Sequence, residues 1–232
     1  DVNTSSFVWE IDPDNDKRLV QPLAGLKGLG DAAIEQIVAN RPFNDIEEFL
    51  FNDNIVYSKL NKKALDVLVR SGAMNSLMDD RFSGRKHFWS AVAVDRVYSK
   101  KKFLENIEEY RDEGDFSVEE EIDNKTTLTG IFPMHLVMTD EVRTKLENYY
   151  VPPISDYDPE LGLVWFIPRE IIRKKTKNGK PYWIVAVIDS NSVLTKFRCW
   201  GIVEGKDRIH LNRPYMGKLD YDPAWGFSTR SI

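Results

Sequence analysis

The run Leu23-Ala24-Gly25-Leu26-Lys27-Gly28-Leu29-Gly30-Asp31 sets three glycines within six residues, the last two as a Gly-x-Gly pair ahead of an amphipathic segment. A Gly-x-Gly turn between two short helices leaves backbone N–H groups unpaired at the second helix's N-terminus. Those groups can hold a phosphate oxygen, and glycine lets the ligand approach. This is the logic of a helix-hairpin-helix. Gly25, Gly28 and Gly30 form the turn, and Lys27 adds a charge that would hold a sugar-phosphate backbone without reading sequence. Leu26, Leu29 and Ile34 face a core. Gly-x-Gly turns also serve as plain C-caps, so a purely structural role stays open.

Working outward, Asp31 is read as an N-cap, with Ile34, Ile37 and Val38 at i, i+3, i+4 before Arg41-Pro42 stops the helix. Asn44 with Glu47 resembles a capping box for a second short helix, and Leu60-Asn61 leads into a third bearing Ala64, Leu65, Leu68 and Val69 on one face. Ser71-Gly72-Ala73 ends it and forms a second candidate hairpin with a single glycine. A longer helical stretch is expected over 84–110, with Phe88, Trp89, Val92, Phe103, Leu104 and Ile107 as core. Residues 105–123 are strongly acidic, densest at Glu119-Glu120-Glu121, and read as a solvated helix or linker. Val151-Pro152-Pro153 and Asp156-Tyr157-Asp158-Pro159 mark a domain boundary.

Beyond it the period changes to that of strands. Leu161–Ile167, extended past Pro168 by Glu170-Ile171-Ile172-Arg173, leads to a lysine-flanked Asn178-Gly179 turn and a returning apolar strand, Tyr182–Ile188. In Val193–Trp200, Phe197 and Cys199 lie on one face and Lys196, Arg198 and Trp200 on the other. A curled sheet with a basic hairpin suits an oligonucleotide-binding (OB) barrel. Lys174, Lys175, Lys177, Lys180, Lys196, Arg198 and Trp200 are its candidate single-strand contacts. A role for Trp200 as a cap on the barrel core stays open, as does which of Tyr182 and Trp183 faces outward. Trp165, Trp225 and Cys199 are read as core, and His87 and His210 as structural.

Charge supports this division. Residues 161–232 hold 13 Lys and Arg against 6 Asp and Glu, whereas residues 1–160 hold 19 against 31, so a module of +7 follows a body of −12. A basic module points to a polyanion partner. One cysteine and three histidines in 232 residues exclude a disulfide framework and a Cys-rich zinc site, making a reducing cytoplasm the expected compartment. No apolar run is long enough for a membrane span. The opening at Asp1 reads as a fragment of something longer or the product of a removed tag.

The order of these segments resembles the bacterial and phage DNA polymerase III α subunits, the C-family replicative polymerases. Asp1-Val2-Asn3-Thr4-Ser5 is similar to the entry of that family's tandem helix-hairpin-helix region. Pro22–Gly30 resembles its first hairpin, and Leu60–Leu65 with Ser71–Leu77 its second. Leu128-Thr129-Gly130-Ile131-Phe132 stands where the family has Leu-Gly-Phe-Tyr, and Pro133-Met134-His135-Leu136 where it has Ser-Gly-His-Pro. Lys196–Trp200 resembles a strand of its OB domain.

The resemblance implies an α+β multidomain chain: an all-α helix-hairpin-helix module over 1–78, a helical connector with the acidic segment over 79–150, and a β-barrel OB fold over 160–232. It implies duplex DNA on the hairpin amides of Gly25, Lys27, Gly28, Gly30, Ser71, Gly72 and Ala73, single-stranded template on the OB face, and the rest of the polymerase α subunit as partner. The palm aspartates that hold two metal ions in that family belong to segments upstream, so no catalytic residue, metal or cofactor is expected here. Asp12-x-Asp14-x-Asp16 sits among turn residues. No glutamine occurs between Tyr98 and Thr127, where the family carries its clamp-binding peptide, so docking to the sliding clamp is not expected. The alternative is a protein-interaction scaffold within the replisome.

Overall fold

Caps and stops in the sequence account for most of the helices in the computed structural model, which describes residues 1–12, 15–95, 97–202 and 209–230. The chain divides into two units, Asp1–Phe132 and Pro133–Ile232. The first begins with an antiparallel hairpin, β1 (Glu10–Asp12) and β2 (Asn15–Val20), that sets Ile11 opposite Leu19. Its residues read as turn formers, so the sequence pattern does not announce it. A single 3-10 turn, Leu23–Gly25, then stands where a helix was expected before the first Gly-x-Gly.

Helix α1 (Asp31–Asn40) takes Gly30 as its N-cap. Asp31 is therefore not the cap but the first helical residue, where its carboxylate complements the helix dipole. Helix α2 (Ile46–Leu50) is capped by Asp45, which accepts from the Glu48 amide at 2.8 Å, one residue later than the Asn44–Glu47 pairing expected. Helix α3 (Lys62–Ser71) is capped by Asn61 and ends at left-handed Gly72. The stretch over 84–110 is not one helix. Helix α4 (Arg85–Trp89) runs into a π-helical turn, Ser90–Val94, and α5 (Lys100–Glu109) restarts from Ser99. Leu104, expected in the core, is exposed, whereas Phe88, Val92, Phe103 and Ile107 are buried.

The acidic run opens α6 (Val118–Thr129) with a complete capping box between Ser117 and Glu120. Of the solvated helix or linker expected there the structure has the helix, but one tied to its neighbour: Glu121 pairs with Arg85 at 2.7 Å and Glu120 with Lys86 at 2.8 Å, pinning α6 to α4. One apolar core runs from Val2 through Ile34, Phe49, Leu68 and Phe88 to Leu128. The boundary expected at 151–159 accordingly falls between Phe132 and Pro133, and α4 to α6 share the core of the hairpin region.

The second unit begins with α7 (Met134–Val137) and α8 (Asp140–Asn148). Its strands are β3 (Leu163–Lys175), β4 (Pro181–Ile188), β5 (Thr195–Trp200), β6 (Tyr215–Lys218), β7 (Asp220–Asp222) and β8 (Gly226–Thr229), in the order β6-β3-β4-β5-β8-β7. Pro168 is tolerated inside β3 because the strand changes partner there, from β6 over Leu163–Phe166 to β4 from Ile167, with a register shift just beyond. Strands β5 and β8 are parallel and the other pairs antiparallel. The two edge strands, β6 and β7, are separated in the chain by Leu219 alone, so the sheet curls back toward itself. This mixed, curled sheet is OB-like, and the chain as a whole is α+β. Val164, Phe166, Val185, Phe197, Cys199 and Leu219 fill it, with Phe166 edge-on to Phe197 at 5.0 Å. Among the described residues no helix is long and apolar enough to cross a membrane.

Candidate nucleic-acid interface

The first hairpin presents donors. Gly28 takes φ +95°, a conformation that favours glycine, and turns the chain into extended Gly30 and α1. Gly25 donates to the Pro22 carbonyl at 3.1 Å within the 3-10 turn, and Leu29 to Leu26 at 3.2 Å. The Lys27 amide donates to the Leu128 carbonyl at 2.8 Å, so the backbone of this lysine is fastened to the end of α6 while its side chain stays exposed. Among the described residues, the amides of Gly28, Gly30, Asp31 and Ala32 have no acceptor. All four residues are exposed, and they converge on the N-terminus of a ten-residue helix. A Cβ placed on Gly28 would lie 3.6 Å from Lys63 Cε, so α3 contributes a second lysine beside the turn. Sequence reasoning missed Lys63, because the i, i+4 pattern of α3 identifies its buried face and says nothing of what its exposed face meets.

The second hairpin is built differently. Gly72 donates to the Val69 carbonyl at 3.0 Å, and Ala73 to Leu68 at 2.9 Å, the double bond of a Schellman cap. Ser71 is buried with its hydroxyl on the Leu68 carbonyl, and the Ala73 carbonyl accepts from Val2. A 3-10 turn, Asn75–Leu77, follows in place of an α-helix, so no set of N-terminal amides forms there. Lys125 Nζ donates to the Ser71 carbonyl at 2.6 Å, and Arg85 donates to that of Arg70 at 3.3 Å. Burial, with the Arg85 charge nearby, pushes the Lys125 ammonium below the usual lysine range. Of the seven hairpin positions named from sequence, Gly28 and Gly30 thus offer unpaired amides and Lys27 a free-standing side chain. Gly25, Ser71, Gly72 and Ala73 are engaged within the fold.

In the second unit the strand register sorts the basic residues by face. Lys174 lies opposite Tyr182, and Tyr182 opposite Trp200, forming one cross-strand row. The Tyr182 and Trp200 rings stack at 4.7 Å and 25°. Trp183 turns to the core, which settles the choice between the two neighbours, and Trp200 lies on the outer face. Arg198 and Lys196 continue that face along β5. The Arg198 guanidinium lies over the Trp225 ring at 5.9 Å and donates to the Trp225 carbonyl. Trp225 is 71% exposed, contrary to the core position read from sequence. It sits in the turn between β7 and β8, where Asp222 Oδ1 accepts from its amide at 3.1 Å. Lys175 lies opposite Pro181, one residue out of phase with Lys174 and so on the other face. Lys177 and Lys180 are exposed in the hairpin turn, closed by Thr176 donating to the Lys180 carbonyl at 2.9 Å.

His87 and Cys199 are built into the cores, whereas His210 is exposed. His87 is fully buried, with Nδ1 accepting from the Ser83 amide at 2.9 Å and Nε2 at 2.7 Å from the Ile107 carbonyl. Cys199 is buried in the sheet. Among the described residues no group of three His, Cys, Asp or Glu is placed to hold a metal ion. Asp14 lies outside the described residues.

Residues 1–83 match the model of the helix-hairpin-helix motif family. The chain is 33% identical over 101 residues to the DNA polymerase III subunit alpha of Pseudomonas aeruginosa, covering 42% of this chain and 8% of that protein. It is 36% identical over 80 residues to the DNA polymerase III subunit alpha of Pseudomonas fluorescens, covering 33% and 6%. The chain therefore spans less than a tenth of the length of these relatives. It carries a helix-hairpin-helix motif and, over part of its length, is similar to a polymerase III α subunit.

Proposed function

We propose that this chain is a DNA-holding segment of a replicative polymerase α subunit. Its first hairpin grips the duplex backbone, and the outer face of its OB-like sheet takes single-stranded template. The observation that carries the reading is the set of four unpaired amides at the N-terminus of α1, flanked by Lys27 and Lys63. Aligned N–H groups and the positive end of the helix dipole favour a phosphate, and neither distinguishes one base from another. A polymerase advancing along its template needs such a grip: firm, and indifferent to sequence. On the sheet, the Tyr182–Trp200 stack offers a ring surface for bases while Lys174, Lys196 and Arg198 meet the phosphates. The nucleotidyl-transfer site, its metal ions and its aspartates belong to other parts of the parent protein.

Fluorescence anisotropy of the 232-residue chain with matched duplex and single-stranded oligonucleotides at two salt concentrations tests this. Two lysine–phosphate pairs at the hairpin correspond to a log–log salt slope of about −2 for duplex. Lys27→Glu combined with Lys63→Glu should abolish most duplex binding and leave single-strand binding intact. Salt-insensitive binding, or none to either DNA at low salt, would favour the scaffold reading.

A further inference from the structure

The second unit holds a cavity of about 690 Å³ where α7, α8 and the loop after them meet β3, and none of its lining residues belongs to either proposed DNA contact. Met134, Met138, Leu146, Val151 and Pro152 make its walls apolar, and Trp165 completes them. Phe166 enters the sheet core, so strand alternation turns Trp165 to the opposite face, where it is still only 5% exposed. Its indole N–H donates to nothing among the described residues, and the atom is not sealed from solvent as Asn106 Oδ1 and Asn124 Nδ2 are. A tryptophan buried to this degree ordinarily sets its N–H on an acceptor.

Two opposite charges stand at the mouth. Arg143 and Glu147 are exposed lining residues four apart on α8, hence on one face of it. Among the described residues neither side chain has a partner, nor do they pair with each other, whereas Lys145 and Glu141 on the same helix pair at 2.6 Å. Beyond them the Tyr150 ring is 87% exposed on a residue at φ 52°, a conformation that favours glycine. With no net charge at its mouth, the cavity offers a phosphate backbone little attraction. An occupant that answers these groups brings an apolar side chain for the walls, an acceptor for Trp165, and an anion and an N–H close together for Arg143 and Glu147.

We propose that this cavity receives the C-terminal residue of a partner protein, a large apolar one, with its side chain among the methionines, its carboxylate on the Arg143 guanidinium, its amide N–H on Glu147, and the preceding carbonyl accepting from Trp165 Nε1. A chain terminus supplies all four, because its carboxylate and last N–H are carried by the same Cα. A guanidinium matches a carboxylate in a planar, two-pronged pair, so the terminal group gives the site its selectivity. An apolar segment from the middle of a chain fills the walls but leaves Arg143 without an anion. The site gives the second unit a protein-binding pocket, and it stands whether or not the outer face of the sheet holds DNA.

The test is an NMR titration of the isotope-labelled chain with the tripeptide N-acetyl-Ala-Leu-Phe, once as the free acid and once as the C-terminal amide, following the Trp165 indole N–H. The acid should shift this resonance saturably and bind about tenfold more tightly than the amide, the scale of one charge-assisted hydrogen-bonded pair. Arg143→Gln, at an exposed position without contacts to lose, should bring the acid down to the affinity of the amide and leave the amide where it was. An unchanged resonance up to about 10 mM acid, where even a millimolar site would be filled, overturns the proposal. So does equal binding of acid and amide, or a preference for the acid that survives Arg143→Gln. If the resonance answers instead only to oligothymidylate, or only to the concentration of the chain itself, the occupant is DNA or a second copy and the proposal falls.

Discussion

Replacing Trp200 by alanine separates stacking from charge on the OB-like sheet. Trp200 ends β5 with its ring on Tyr182 at 4.7 Å, in the same row as Lys174 and next along the face from Arg198. Stacking of a base on an aromatic ring is worth about 1–3 kcal/mol, so the single-strand Kd should rise about 5- to 150-fold at fixed salt. No charge is removed, so the slope of log affinity against log salt should stay constant. Lys196→Ala should do the reverse, flattening the slope by about 0.7, the share of one lysine–phosphate pair on a single strand. The Tyr182–Trp200 stack itself contributes about 0.5–1.5 kcal/mol, so thermal unfolding of the variant is followed alongside and binding read well below its midpoint. Anisotropy of a labelled oligothymidylate over a salt series supplies both quantities. A Trp200→Ala variant that changes the slope but not the affinity, or a pair of variants that both bind as the parent does, would refute the assignment of this face.

Three further outcomes are expected. Asp31→Asn removes a negative charge from the first turn of α1, beside the unpaired amides; it should tighten duplex binding about two- to fivefold, read by anisotropy at low salt. Phe197→Ala empties a ring site in the sheet core, where the side chain is 1% exposed, and should lower the stability of the second unit by about 3–5 kcal/mol in denaturant unfolding. In the first unit, hydrogen bonds from Arg81 hold the Glu47 and Asp79 carboxyls below their usual range. Depressed acids contribute stability that is full above their unfolded values, near pH 4 to 4.5, and lost as pH falls through the folded ones. The melting temperature should therefore drop on the acid side of about pH 4.5, and Arg81→Met should make that drop shallower.

The two units differ in how much of each is legible in the sequence. In the sheet, strict alternation in Lys196–Trp200 separates Phe197 and Cys199 from the cations, because a strand's period of two leaves no third option. The Asn178-Gly179 turn fixes the hairpin around it, with Gly179 at positive φ. Trp225 escapes because it lies in a turn, where no period applies and a tryptophan's size argues for burial. In the helical unit, the segments are readable from their apolar faces, but their caps slide by a residue, from Asp31 back to Gly30 and from Asn44 on to Asp45, since glycine and Asx residues at neighbouring positions can each serve as the cap. The acidic stretch is the larger discrepancy. Composition alone cannot tell a solvated run from one whose partners, Arg85 and Lys86, stand about 35 positions earlier in the chain.

That same helix explains why the two candidate hairpins are built unequally. Three residues apart on α6, about one turn, Lys125 reaches the Ser71 carbonyl and the Leu128 carbonyl receives the Lys27 amide. One strut thus holds both turns. At the second it meets a helix C-terminus, where the exposed groups are carbonyls, and a cation is the natural partner. At the first it takes up a single amide and leaves those of Gly28, Gly30, Asp31 and Ala32 to face solvent. A helix start offers donors and a helix end offers acceptors, so in this tandem the hairpin that opens an α-helix is the one that carries the proposed phosphate contact, and the hairpin that closes one is a joint. The acidic first turn of α6, capped by Ser117 and pinned by Arg85 and Lys86, keeps that strut in place. Negative residues far along α6 therefore support the first turn by fixing where its amides point.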